Sequence, residues 1–246
     1  MDRLIYTAVS GLSASMARQR MIASNMANAQ TIGFRAEVMA NLPMTLESAS
    51  LEVRALNQGR VHGASFTQGA TMQTGRDLDI ALQGQVMLAV QASDGSEAYT
   101  RRGDLSIAAS GLLQNGEGLA VIGSAGPVTV PLGSKVTIAP DGRVLAEDPS
   151  QPGQPPAEVA RLKLASTQGS AIAKGLDGLF RVRGGGVLPA DEEAKVLAGA
   201  LEGSNVNTSA VLVEMIEAQR MFEIRTKLVP TAKDLDEGSA RLMRLE

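Results

Sequence analysis

The stretch MDRLIYTAVSGLSASMARQRMIASNMANA, residues 1–29, reads as one helix with a narrow apolar stripe. Ile5, Leu12, Gln19 and Met26 are spaced by sevens. Val9, Met16 and Ala23 form a second series with the same spacing, offset by four. This is a coiled-coil type of pattern with one polar member, and Arg18 and Arg20 fall off it. The helix is expected to end near Asn28, because Thr31-Ile32-Gly33 follows and glycine tolerates a positive φ.

A second helix is expected over 206–246, where Ala218, Met221, Arg225, Leu228, Ala232, Leu235, Ser239 and Leu242 alternate steps of three and four. Met215, Phe222 and Val229 widen its stripe, and Asn205 or Asn207 is placed to cap its start. Pro230 removes a backbone hydrogen bond and clashes with the preceding turn, so a kink or a break is expected there.

Between the helices the pattern changes. From about 76 to 185 the chain is rich in glycine and in short β-type runs. Leu78 to Leu82 alternates, and Val86 to Val90 is apolar throughout, as in a strand buried on both faces. Further runs occur at 99–100, 105–107, 119–122, 128–130, 136–138, 162–164 and 180–182. Asp94-Gly95, Asn115-Gly116 and Asp141-Gly142 are turn signals, and PSQPGQPP at 149–156 reads as an exposed loop. Residues 36–75 show little periodicity and are expected to be extended or locally ordered by contact with something else. The fold class is therefore α+β: a central all-β domain flanked by N- and C-terminal helices. The helix stripes must meet each other, the β domain or other chains, since isolated helices are marginal in water. Periodicity alone leaves an ordinary α+β monomer and a polymerising chain both open.

The composition restricts the chemistry. The 246 residues include no cysteine, no tryptophan, two tyrosines, four phenylalanines and a single histidine, His62. Disulfides, thiolate metal sites, cysteine nucleophiles and multi-histidine metal centres within one chain are excluded. The net charge of −3 argues against a broad nucleic-acid surface. No apolar run approaches the roughly 20 residues of a membrane span, and the first residues do not form a cleaved secretory leader. Gly184-Gly185-Gly186 lacks the lysine and hydroxyl of a phosphate loop and reads as a turn. Asp141-Gly142 lacks the spacing of a calcium loop. Asp77 and Asp79 share a strand face and read better as a solvated edge than as an acid pair, and Asp191-Glu192-Glu193 reads as solvated surface. His62 has no nucleophile-elbow motif near it. No catalytic, cofactor-binding or metal residue is assigned. A secreted β-rich enzyme and a soluble adaptor are the rival classes.

Four short stretches carry a resemblance. Ala23 to Arg35 (ASNMANAQTIGFR) resembles the N-terminal signature of the bacterial flagellar axial proteins, the rod and hook family. Thr74 to Gly84 (TGRDLDIALQG) resembles a second signature, Tyr99 to Gly103 (YTRRG) a third, and Glu202 to Asn207 (EGSNVN), with the helix that follows, a fourth. They stand in the family's order along nearly the whole chain. The opening Met1 to Ala8, Ala92 to Glu97 and Gly126 to Pro131 resemble proximal-rod members most, with the distal-rod branch next. Ser24, Gln85 to Leu88 and Pro230 depart from the family pattern.

The resemblance implies a non-enzymatic structural subunit of the basal-body rod, with no cofactor, small-molecule substrate or nucleic acid. Its partners would be other rod proteins and copies of itself. The flagellar type III apparatus would export it, without a cleaved signal, to a periplasmic tube that transmits torque. A discontinuous assembly domain is expected over 1–35 and 200–246, a connector over 36–75 and a β-rich outer domain over 76–199. Ile5, Val9, Leu12 and Met16 are expected to pack against Met215, Met221, Phe222, Leu228 and Leu235, within or between subunits. Asn25, Asn28, Gly33, Phe34, Gly75, Leu78, Ser204, Asn205, Val206 and Asn207 are the signature residues. Gly33 is expected to pivot the chain and Phe34 to anchor it, while Asn25 and Asn28 turn the chain out or cap the helix end.

Overall fold

A computed structural model describes residues 3–45, 55–148 and 154–242. The chain divides into two compact units. One comprises Met1–Ala29, Ala36–Gly63 and Val206–Glu246, and the other Gln30–Arg35 and Ala64–Asn205. The six residues that leave the first helix, and those that lead into the last, thus belong to the β unit rather than to the helices.

In the helical unit, α1 spans Arg3–Ala27 and α2 spans Thr208–Leu242. The Ser24 carbonyl accepts both the Asn28 N–H at 3.1 Å and the Asn28 side chain at 2.9 Å, so Asn28 closes the end of α1. At the start of α2, Asn207 Oδ1 accepts from the Ala210 N–H at 3.1 Å, so Asn207 is the N-cap and Asn205 is not. α2 runs through Pro230 without the expected break. One lost hydrogen bond costs roughly 3 kcal/mol in isolation, but helical bonds continue on both sides of it. Next to the proline, Thr231 Oγ1 donates to the Lys227 carbonyl at 3.0 Å. Within 36–75, two strands form, β1 (Glu37–Thr45) and β2 (Ala55–Ala64), paired as a two-stranded sheet. His62 lies in β2.

The β unit begins with β3 (Thr71–Gln73), β4 (Ile80–Leu82), β5 (Val86–Gln91) and β6 (Glu97–Thr100). Its main sheet has five strands in the order Leu164–Ser166, β5, β6, Phe180–Val182, Ile172–Lys174. Leu88 and Val90 enter the main core with Ile80, Leu82, Leu105, Leu113, Val121 and Val144. Met87 and Ala89 point the other way, into a smaller cluster with Tyr99, Ala165, Phe180 and Leu188. The sheet is covered on both faces, which is why β5 reads as an unbroken apolar run. A three-stranded sheet, Lys135–Ile138, Arg143–Glu147 and Ala157–Arg161, packs Val136, Ile138, Val144 and Ala146 into the same main core.

The unit is closed by its last strands. Val196–Ala198 pairs with β4 and Ala200–Glu202 with β3, both antiparallel. Gly199 makes the turn between them at φ +70°, and its carbonyl accepts the N–H groups of Thr74 and Gly75. Gly75 is left-handed too, at φ +72°, and Leu78 packs against the main core.

Three expectations are corrected here. Residues 80–82 do not alternate, because all three are buried. Asp79 is not a solvated edge: it is 1% exposed, accepts from Thr74 Oγ1 at 2.7 Å and lies 3.6 Å from Arg76, while Asp77 is exposed near Lys135. Residues 128–130 form one bridge, Thr129 to Leu112, rather than a strand. Gly184 to Gly186 is a turn with three left-handed glycines.

Candidate functional site

The signatures converge inside the β unit on one carboxylate. Glu202 is fully buried at the end of its strand. Its Oε2 accepts from Arg101 Nε at 2.8 Å and from Arg101 Nη2. Its Oε1 lies 2.7 Å from Arg35 Nη2 and accepts the Gly69 N–H at 2.8 Å. The Arg35 contact is an ion pair without an aligned N–H, and Arg35 Nε has no hydrogen-bond partner among the described residues. Arg35 is held instead through Nη1, which donates to the Thr67 carbonyl at 2.7 Å. Arg101 also donates to the carbonyls of Leu82, Gly84 and Val86, which ties the ends of β4 and β5. Burial, and then the neighbouring Arg101 guanidinium, pull Arg35 below the usual arginine range, and Glu202 opposes them. Three buried charges with one anion are stable only as a set.

Backbone contacts complete this hub. Gly33 sits at φ +67°, and its N–H donates to the Glu202 carbonyl at 2.8 Å. A Cβ there would lie 2.4 Å from the Arg101 carbonyl carbon, so only glycine fits. The Asn205 N–H donates to the Phe34 carbonyl, and its side chain donates to the Ser65 and Thr67 carbonyls at 3.0 and 2.9 Å. Lys174 Nζ stands 3.6 Å above the Phe34 ring and donates to the Arg35 carbonyl. This is a cation–π contact. Gly103 backs directly on the Ile80 carbonyl, where a Cβ would approach to 1.9 Å. Ser204 is half-buried in the same turn.

Arg35, Arg101 and Glu202 are quoted within the signatures, yet sequence reasoning gave them no role. The available signal was their position. Arg35 and Arg101 each lie two residues from a glycine that admits no Cβ, Gly33 and Gly103, and Glu202 directly precedes Gly203.

In the helical unit the signature asparagines divide their work. Asn28 caps α1 as described. Asn25, 5% exposed, does not cap: its Nδ2 donates to the Glu37 carbonyl at 3.0 Å and its Oδ1 accepts the Glu37 N–H at 2.8 Å. It offers β1 the hydrogen bonds of a neighbouring strand. Val206 is buried at the foot of α2.

α1 and α2 pack together along a seam of small residues. On α1 the buried positions are Ala14, Ser15, Met21, Ile22 and Asn25. On α2 they are Val211 and Ala218, with Met215, Phe222, Arg225 and Val229 half-buried along the same line. Arg225 Nη1 donates to the Gly11 carbonyl and to Ser15 Oγ, both at 2.6 Å.

The stripe expected on α1 is a different face. Val9 is 50% and Met16 42% exposed, and Leu12 is half-buried. At 100° per residue these lie about 160° around the helix from the seam. α2 likewise has a second apolar face: Val213, Ile216, Met221, Ile224 and Leu228 are all 46–61% exposed. Met221 and Leu228 therefore lie outside the seam, whereas Met215 and Phe222 lie in it. The side chains of Ile5 and Leu235 fall outside the described residues. Among those described, no group of three His, Cys, Asp or Glu side chains converges, and no helix is long and apolar enough to cross a membrane.

Three family models match the chain. Residues 5–35 match one described as flagella basal body rod protein, 81–146 the flagellar hook protein FlgE/F/G D1 domain, and 197–242 the flagellar basal body rod FlgEFG protein C-terminal. Flagellar basal-body rod protein FlgF of Escherichia coli K12 is 43% identical over 240 residues, 95% of each chain. FlgF of Salmonella typhimurium LT2 is 42% identical, covering 98% of this chain and 97% of its own. The rod protein FlgG of Agrobacterium fabrum is 31% identical, covering 95% and 96%.

Proposed function

This chain belongs to the flagellar basal-body rod protein family and is a structural subunit of that rod, and on that premise we propose that it occupies the proximal rod and polymerises through its helices. The identities of 43% and 42% to the FlgF proteins of Escherichia coli and Salmonella typhimurium, against 31% for the FlgG of Agrobacterium fabrum, support the proximal over the distal position.

The observation that carries the mechanism is the pair of uncovered apolar faces on α1 and α2. Exposed apolar stripes of this extent mark interaction surfaces. Burying a Leu, Ile, Val or Met side chain is worth about 1.5–3 kcal/mol, so half-exposed ones hold much of that in reserve. Val9, Leu12 and Met16 of one subunit meet Met221, Ile224 and Leu228 of a neighbour. Contact between two different faces is heterologous, and it propagates as a helix instead of closing as a dimer. The intrachain seam of Gly11, Ala14, Ser15, Ala218 and Arg225 holds each helix pair rigid while the outer faces assemble into an inner coiled-coil-like layer. Glu202 and its two arginines clamp the segments that follow α1 and precede α2, so torque passes through a covalent path with no slack in the β unit. The partners are copies of this chain and other rod proteins. The subunit reaches a periplasmic site through the type III export apparatus.

The absence of cysteine makes a direct test simple. Single cysteines at Val9, Met16 and Leu228 should react with a maleimide in the free chain and be protected in purified hook–basal bodies. Equal labelling in both would overturn the assembly reading.

A further inference from the structure

Sulfur in this chain is confined to thioethers: there are 11 methionines and no cysteine. Their surroundings differ sharply. Met21 and Met87 are buried, at 8% and 1% exposed. Met16 and Met221 are 42% and 46% exposed, and each sits on an uncovered apolar face. Met16 shares its face with Val9 and Leu12, and Met221 shares its face with Ile224 and Leu228.

We propose that Met16 and Met221 are oxidation sites through which peroxide blocks incorporation of the free subunit. The inference rests on the assembly reading above. The sulfur lone pair attacks one oxygen of hydrogen peroxide, the O–O bond breaks, and the products are methionine sulfoxide and water. Sulfur is oxidised by two electrons and peroxide is reduced. The step turns a flexible apolar side chain into a polar, chiral one. A soft thioether fills an irregular apolar contact well, whereas a sulfoxide must keep its oxygen hydrated. A sulfoxide at either position therefore faces desolvation when a neighbour docks. Docked subunits are covered and escape the reaction. The vulnerable interval is the one between folding and incorporation.

The test has two parts. The full-length free chain and purified hook–basal bodies are treated with hydrogen peroxide, and sulfoxide is mapped by peptide mass spectrometry. In the free chain Met16 and Met221 should oxidise about tenfold faster than Met21 and Met87, following exposure. Exposed Met72 serves as the reference for an open site. In particles Met16 and Met221 should be protected. In cells, Met16→Gln and Met221→Gln stand in for the polar product and should reduce incorporation into particles, while Met16→Leu and Met221→Leu should not. Circular dichroism of each purified variant must show unchanged helix content. Equal oxidation of buried and exposed methionines in the free chain would overturn the site assignment. Protection in particles with full incorporation of the Gln variants would overturn the block while leaving the interface intact. Equal oxidation of Met16 and Met221 in particles and free chain would refute the interface itself.

Discussion

Glu202→Gln is the perturbation with the largest expected effect on the folded chain. The carboxylate is fully buried and serves two guanidinium groups and the Gly69 N–H. Glutamine has nearly the same shape but one acceptor oxygen. Its amide would direct N–H groups at Arg101 or at Arg35 and Gly69, all of them donors. Arg35 and Arg101, 1% and 2% exposed, would then be buried cations without an anion. Removing one partner of a buried pair costs about 3–5 kcal/mol. Because one carboxylate balances both cations, about 4 kcal/mol is expected, a factor of nearly a thousand in the folding constant. Urea unfolding of the full chain reads this directly, since Tyr99 is fully buried and the only other tyrosine is Tyr6. With a slope of about 2 kcal/mol/M, the midpoint should fall by about 2 M. A double-mutant cycle identifies the cause. Arg35→Met should cost less in the Glu202→Gln background than alone, by at least about 1 kcal/mol. A midpoint shift below about 0.5 M, or additive effects, would refute the reasoning that Glu202 is the counter-charge of the hub.

Other expectations follow from the same geometry. Gly33→Ala should cost about 2–3 kcal/mol by the same urea measurement, because a Cβ would sit 2.4 Å from backbone at φ +67°. Leu12→Asp should abolish swimming in a motility assay while the buried Tyr99 signal of the purified chain is unchanged, since the charge lies on an assembly face outside the β unit. Asp177 is held below the ordinary carboxylate range, first by hydrogen bonding from Arg181. A depressed carboxyl stabilises the fold above its unfolded value near 4, and that contribution is lost as pH falls through the lower folded value. Asp177→Asn should therefore cost a few tenths of a kcal/mol at pH 7, modest because the pair is solvent-screened, and nothing in acid, read by thermal melts across that range.

Local signals in the sequence were strong where one element decides the outcome. The seven-residue spacings mark both helices, the run Val86 to Val90 marks a strand covered on both faces, and Gly33 marks a left-handed residue. The choice of helix face was harder. Both α1 and α2 carry two apolar faces, so heptad counting finds a stripe without saying which neighbour covers it. On α1 it found the outward face, Val9 and Met16. On α2 it mixed the outward Met221 and Leu228 with the inward Ala218 and Arg225. The hub was hidden for a different reason. Glu202 meets Arg101 and Arg35 across 101 and 167 residues of chain, and no periodicity carries contacts of that range. α2 does not break at Pro230 because a local penalty of roughly 3 kcal/mol is small beside a helix supported along its length.

The central claim, that this chain is built into the rod, is tested most directly by counting it in purified hook–basal bodies by quantitative mass spectrometry against the other axial proteins. The account predicts a few copies per particle, well below the distal-rod protein. A chain absent from the particles and soluble in the cell would contradict it.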